Sequence, residues 1–269
     1  MARKRYPPVP LEDLRDFVGI VRRLRKDCPW DREQTHRSIR HALIEETYEV
    51  VEALDAGDLE ELKKELGDLL LHVVMHATIA EQGGEFSLRD VVRSISEKLV
   101  RRHPHVFGEA RARDAAEVKH AWERLKMREG RTSVLEGVPR TLPALQRAQR
   151  VQERAARVGF DWKARSRVWA KVREEEREFR RTLRERSHRR REEEFGDYLF
   201  ALVNYARFID VNPENALRGT VDKFERRFRY IERRLAEEGK DIHRTSLRAM
   251  DALWNEAKRK ERKRARPEP

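Results

Sequence analysis

Apolar residues recur along this chain at intervals of three and four. Leu14, Phe17, Val18, Val21 and Leu24 share one face of a helix that "DCPWD" ends. Ile39, Leu43, Ile44, Tyr48, Val51 and Leu54 repeat the period, and "DAGD" at 55–58 marks a turn. A further helix starts near Leu59 and carries Leu62, Leu66, Leu69, Leu70, Val73 and Ile79 as far as "EQGGEF". Another runs from about Leu88 to Arg102, where His103-Pro104 stops it because proline cannot continue the hydrogen-bond ladder. A last helix of this half carries "AAEVKHAWERLKMRE".

The pattern then begins again. After the glycine- and proline-bearing stretch "GRTSVLEGVPRTLP" comes "LPALQRAQRVQERAARVGFDW", a helix ended by Gly159 as the first is ended by Pro29. "IEETYE" aligns with "REEERE", setting Glu45, Glu46 and Glu49 against Glu174, Glu175 and Glu178. "KELGDLL" aligns with "EEFGDYL" at the same separation, setting Glu65 and Asp68 against Glu194 and Asp197. "EKLVRR" pairs with "DKFERR", and Trp122 with Lys126 pairs with Trp254 with Lys258. The expected organisation is therefore an N-terminal helical domain over residues 1–130, a linker and connecting helix over 131–165, and a second helical domain with a basic tail over 166–269.

The repeated residues carry chemistry. Glu175 and Glu178 share a helix face, as do Glu194 and Asp197 on the next helix, so antiparallel packing would gather four carboxylates. Like charges on a partly buried face repel unless a cation neutralises them, and oxygen-only ligands select Mg²⁺ or Mn²⁺. A single "EExxE" is ordinarily a solvated face. The repeated pair is more specific, because Gly67 and Gly196 interrupt the helices beside it at about 1 kcal/mol each, which a close helix approach would explain. Lys223, Arg226 and Arg227 on one helix, with Lys258 further on, add cations suited to phosphate.

Composition supports the helical class: 41% of residues are charged, against 12 Gly and 10 Pro. The net charge of +12 attracts phosphates or polyanions without choosing among them. The lone Cys28 and the absence of an apolar run after "MARKRYPPVP" point to the cytoplasm, and no stretch is long and apolar enough to span a membrane. Neither a P-loop nor a Rossmann glycine motif occurs. His72 and His76 lie four apart, but without the glutamate of HExxH they read as core or helix-face histidines.

The motifs "CPWDREQT", "EETYEV", "ELGDLL", "KLVRRHPHVFGE", "GVPRTLPAL", "VGFDW", "EEEFGD" and "KFERRF" resemble the MazG-type nucleoside triphosphate pyrophosphohydrolases, from about Leu11 to Lys260. The resemblance implies an all-α fold of two tandem helical bundles, a homodimer, and Mg²⁺-dependent hydrolysis of nucleoside triphosphates to monophosphate and pyrophosphate, a house-cleaning of nucleotide pools. It implies Glu175, Glu178, Glu194 and Asp197 as metal ligands, and Lys171, Glu174, Lys223, Arg226, Arg227, Trp254 and Lys258 as nucleotide contacts. Glu174 or Glu175 would act in catalysis. The first repeat offers Glu46, Glu49, Glu65 and Asp68 as metal ligands, with Lys98, Arg101, Arg102, Trp122 and Lys126. In this family the second repeat is credited with hydrolysis.

Local charge agrees with that assignment, since the second repeat's carboxylate helices are joined by the basic "FRRTLRERSHRRR" and the first repeat's by the acidic "VVEALDAGDLEEL". The basic segment departs from the family pattern. A rival reading keeps the scaffold as a regulatory or nucleic-acid-binding protein without turnover, with nucleic acid the less favoured partner. Trp254 fits base stacking or core anchoring equally.

Overall fold

The computed structural model describes residues 14–111, 113–114, 117–118, 122 and 133–264, with the side chains of 263 and 264 excepted. Among the described residues the chain is helical throughout and contains no strand, and no helix is long and apolar enough to cross a membrane. It divides into two compact units, Met1–Val118 and Lys119–Pro269. Lys126 and most of "AAEVKHAWERLKMRE" lie outside the described residues, as does the end of the basic tail.

The first unit contains α1 (Leu14–Asp27), α2 (Pro29–Glu33), α3 (Arg40–Ala56), α4 (Leu59–Gln82), α5 (Leu88–Arg102) and α6 (Pro104–Phe107). The predicted turn between α3 and α4 is two residues long. Gly57 closes α3 at φ 68°, a left-handed backbone that glycine adopts without a steric penalty. Asp58 then caps α4 by accepting from the Glu60 and Glu61 amides at 3.1 and 3.0 Å. So short a connection folds α3 back along α4. Val21, Ile39, Val74 and Met75 form the core, with Phe17, Val18, Leu71, Ile79 and Leu88 packed against it. The buried Arg25 fastens α1 to the end of α4 by donating to Gln82 Oε1 at 2.7 and 3.1 Å.

The second unit contains α7 (Ala144–Arg157), α8 (Arg165–Thr182), α9 (His188–Phe208), α10 (Pro213–Glu237), a 3-10 turn at Ile242–Arg244 and α11 (Leu247–Arg264). Ser187 caps α9 and Asn212 caps α10, each accepting a backbone N–H three residues on. Helix α7, which falls in the connecting segment of the sequence reading, packs on α9 and α10. Its Gln152 donates to the Phe200 carbonyl at 2.8 Å, and its Gln146 amide donates to Glu214 at 3.3 Å.

Two expectations change. A Cβ added at Gly67 or Gly196 would meet nothing within 4 Å, so neither glycine is there to let α3 approach α4, or α8 approach α9. Both lie on exposed helix faces. The apolar stripes also extend beyond what one chain buries. Ile44, Tyr48 and Leu54 of α3, Leu66, Leu70 and Val73 of α4, and Leu217, Val221 and Phe224 of α10 are exposed. These helices carry apolar residues on more faces than packing within each unit can cover.

Candidate active site

Helices α8 and α9 pack extensively against each other, and their facing turns bring the acidic residues together. Carboxylate oxygens of Glu174, Glu175 and Glu178 lie within 4.8 Å of one another, and so do those of Glu175, Glu194 and Asp197. Glu175 belongs to both sets and is buried, at 6% exposure. A buried carboxylate needs a compensating charge. Lys171 supplies it one helical turn earlier, with Nζ 2.6 Å from Glu175 and 2.8 Å from Glu174. Hydrogen bonds to Glu174 and then Glu175 push the Lys171 pKa above the ordinary lysine value, and the Lys171 ammonium holds Glu174 below the usual carboxylate range.

The first unit gathers Glu46, Glu49 and Glu65 in the same way, again within 4.8 Å. Burial raises the Glu46 pKa, and hydrogen bonding and charge from Glu49, then the charge of Asp68, raise it further. Burial and the Glu49 charge raise Glu65 also. In register with Lys171 this unit has Ala42. The nearest basic side chain on Glu46 is His72, with Nε2 at 4.0 Å, and burial pushes that imidazole pKa down. His76 is likewise lowered by burial and stacks on His36 at 5.1 Å between ring centroids. No histidine joins a three-ligand cluster among the described residues.

The other nucleotide-contact candidates gather on α10 and α11. Arg226 donates to Glu261 at 2.8 Å, and Arg227 donates to it at 2.8 and 2.9 Å. Trp254 packs against Phe224 at 5.2 Å between ring centroids, with the Arg227 guanidinium 5.4 Å from its ring. Lys223 is exposed, Lys258 is half-buried, and in the first unit Lys98 and Arg101 are exposed while Arg102 and Trp122 are half-buried. Glu261, which the sequence reading did not single out, thus neutralises part of the cationic set. The basic segment at 179–191, which spans the end of α8 and the start of α9, is partly neutralised as well, by Arg180 on Glu176, Arg189 on Glu193 and Arg190 on Glu185.

Behind the second cluster lies a cavity of about 480 Å³. Lys171, Glu175 and Asp197 form part of its wall, and the rest is mainly apolar, with Phe160, Trp162 and Phe200 supplying rings. Arg207 makes a bidentate bond to Asp161 at 2.6 and 2.8 Å, tying the "GFDW" loop to α9. Its volume falls in the range of small-molecule sites. The sequence reading noted "VGFDW" and gave it no role. Gln152 and Asn204, also in the wall, carry no motif that would have marked them.

The MazG nucleotide pyrophosphohydrolase domain model matches residues 34–107, the span of the first cluster. Over 254 residues the chain is 44% identical to a nucleoside triphosphate pyrophosphohydrolase of Escherichia coli, covering 91% of this chain and 97% of that protein. It is 42% identical over 248 residues to the nucleoside triphosphate pyrophosphohydrolase/pyrophosphatase MazG of Thermotoga maritima, covering 90% and 94%. It is 48% identical over 268 residues to the uncharacterized protein YabN of Bacillus subtilis, covering 96% of this chain and 55% of that one. With two relatives matched over nearly their whole lengths and the carboxylate clusters formed on paired helices, the chain belongs to the MazG nucleotide pyrophosphohydrolase family.

Proposed function

We propose that this protein hydrolyses nucleoside triphosphates to the monophosphate and pyrophosphate, using the carboxylates of α8 and α9 with Mg²⁺ or Mn²⁺. The observation that carries the reading is the double cluster centred on the buried Glu175. Its donors are all carboxylate oxygens, which fit a hard divalent cation. Glu175, Glu178, Glu194 and Asp197 would hold the metal. When bound, such an ion supplies charge to neutralise the triphosphate and acidifies a coordinated water.

The protein's own groups have separate tasks. Lys171 pairs with Glu175 and fixes the rotamers of Glu174 and Glu175 through its two short bonds. Glu174, exposed and ionised, orients the attacking water and takes its proton. Lys223 and Lys258 are the cations of α10 and α11 that we assign to phosphate; Arg226 and Arg227 share Glu261 and would serve only by exchanging that partner.

A homodimer follows from the same reading, since a second copy would cover the exposed apolar faces of α3, α4 and α10. Cytoplasmic house-cleaning of nucleotide pools is the corresponding role. The test is a nucleotide panel with Mg²⁺, scored for products. Monophosphate with stoichiometric pyrophosphate supports the reading; diphosphate with orthophosphate, or no metal-dependent turnover, overturns it.

A further inference from the structure

An acidic cluster repels the triphosphate it would bind, so cations on the approach to it favour capture. The α8–α9 hairpin carries such cations at its tip. Residues 179–191 contain seven arginines and one glutamate, whereas their first-unit counterparts, 50–62, contain five acidic residues and no Lys or Arg. Four of the arginines are engaged within the hairpin: Arg180, Arg189 and Arg190 pair with Glu176, Glu193 and Glu185, and Arg191 donates to the Glu185 carbonyl at 2.9 Å. Arg181, Arg184 and Arg186 are exposed, and among the described residues their side chains make no ion pair or hydrogen bond.

Helix geometry places these three. Glu174, Glu178 and Arg181 lie four and three residues apart, so Arg181 continues the carboxylate row by one turn. Leu183 keeps helical backbone at φ −63° and ψ −19°, and the Arg184 amide donates to the Arg181 carbonyl at 3.1 Å, which carries the row into the turn. Arg181 stands about 5 Å and Arg184 about 9 Å along the axis from Glu178, within the screening length of about 10 Å at 0.1 M salt. The first unit has Glu52 and Asp55 at these two positions.

Three exposed like charges repel one another, and an anionic partner relieves that repulsion. The partner these charges fit is compact: they fall within six residues, at the end of a carboxylate row, whereas a nucleic-acid strand is held by cations spread along a longer groove. A triphosphate held at the carboxylates would extend along the row, and the planar guanidinium fork suits phosphate oxygens.

We propose that the tip of the α8–α9 hairpin is an anion-capture surface of the second unit, on which Arg184 and Arg186 draw in the nucleoside triphosphate and Arg181 binds its terminal phosphate. The surface lies apart from the cations of α10 and α11, and the proposal rests on the hydrolase reading.

The experiment measures binding of α,β-methylene ATP, which the proposed reaction cannot cleave, and hydrolysis of ATP, each with Mg²⁺ at low and at high KCl. Arg181→Gln should weaken analogue binding and raise the KM for ATP by about tenfold, and should change AMP affinity by less than about twofold, because a monophosphate has no terminal phosphate to lose. Arg184→Gln with Arg186→Gln should raise KM by about threefold at low salt and by nothing measurable at high salt, where screening has removed the attraction. Arg189→Gln removes the same charge from an arginine already paired with Glu193 and should change KM by less than about twofold. Equal effects of Arg181→Gln and Arg189→Gln, or equal losses for AMP and the analogue, would overturn the proposal. So would a variant lacking all three arginines that loses affinity for a single-stranded oligonucleotide while its analogue binding stays intact. Analogue binding lost in Arg181→Gln, with no pyrophosphate release from the wild type, would sink the hydrolase reading and keep the capture surface. Pyrophosphate release with analogue binding unchanged in Arg181→Gln would do the reverse.

Discussion

The two acidic clusters share matching glutamates, but among the described residues Asp68 and Glu45 join no three-carboxylate group while their counterparts Asp197 and Glu174 do, and the clusters differ in what surrounds them. The second has the Lys171 ammonium on Glu174 and Glu175, where the first has the methyl of Ala42. The pKa directions differ too: the Lys171 bond holds Glu174 below the ordinary carboxylate value, while burial and then Glu49 raise Glu46 and Glu65 above it. One cluster has a cation bonded to two of its carboxylates; the other is buried against its own like charges. A second contrast lies one turn further along. His72 and Met75, both buried in the first unit, stand in register with Ala201 and Asn204, which line the cavity of the second. A fuller carboxylate set with a paired cation is the physical reason we assign catalysis to the second unit.

The largest expected effect breaks the symmetry at the ligands. Glu178→Gln and Glu194→Gln should lower Mg²⁺-dependent kcat about a thousandfold, whereas Glu49→Gln and Glu65→Gln should stay within about threefold. Pyrophosphate release under saturating nucleotide measures both. Next comes the ammonium. Lys171→Met should lower kcat by about ten- to a hundredfold, because Glu174 and Glu175 lose the bond that orders them. Ala42→Lys sharpens the comparison from the other side: it should lower the Glu46 pKa, which carboxyl ¹³C chemical shifts against pH would show.

The smallest effect concerns stability. The pKa values of the buried His72 and the half-buried His76 lie below the usual 6.5, lowered by desolvation. The unfolded chain therefore takes up more protons as the pH falls through that value, and the first unit loses stability on acidification. The stabilising contribution is present above pH 6.5 and is lost as the pH falls toward the depressed folded-state value. Thermal unfolding at about pH 7.5 and 5.5 should show a first-unit transition falling by a few degrees, about 3 °C or less, with His72→Leu reducing the drop.

The carboxylate clusters were legible in the sequence because helix geometry places side chains three and four apart on one face, and the duplicated spacing marked those faces as paired. Lys171 entered only through the family resemblance, as a nucleotide contact, and its bonds to Glu174 and Glu175 were not anticipated. The cavity was not, since its wall joins segments that local periodicity cannot bring together: the "GFDW" loop, α7 and the late part of α9. Gln152 looks like any polar residue on a charged helix until its tertiary contact to Phe200 is known. The cations of α10 looked free because Glu261 is brought to them by the register of α11, which no local pattern specifies. The helix-interrupting glycines suggested close packing, and the open space beside Gly67 and Gly196 removes that explanation.

The most direct test of the central assignment sets two matched substitutions side by side, Glu46→Gln and Glu175→Gln, in the full chain with Mg²⁺ and nucleoside triphosphate. The account predicts that Glu175→Gln abolishes pyrophosphate release while Glu46→Gln retains it within about threefold. Loss of activity in Glu46→Gln with activity retained in Glu175→Gln would contradict it.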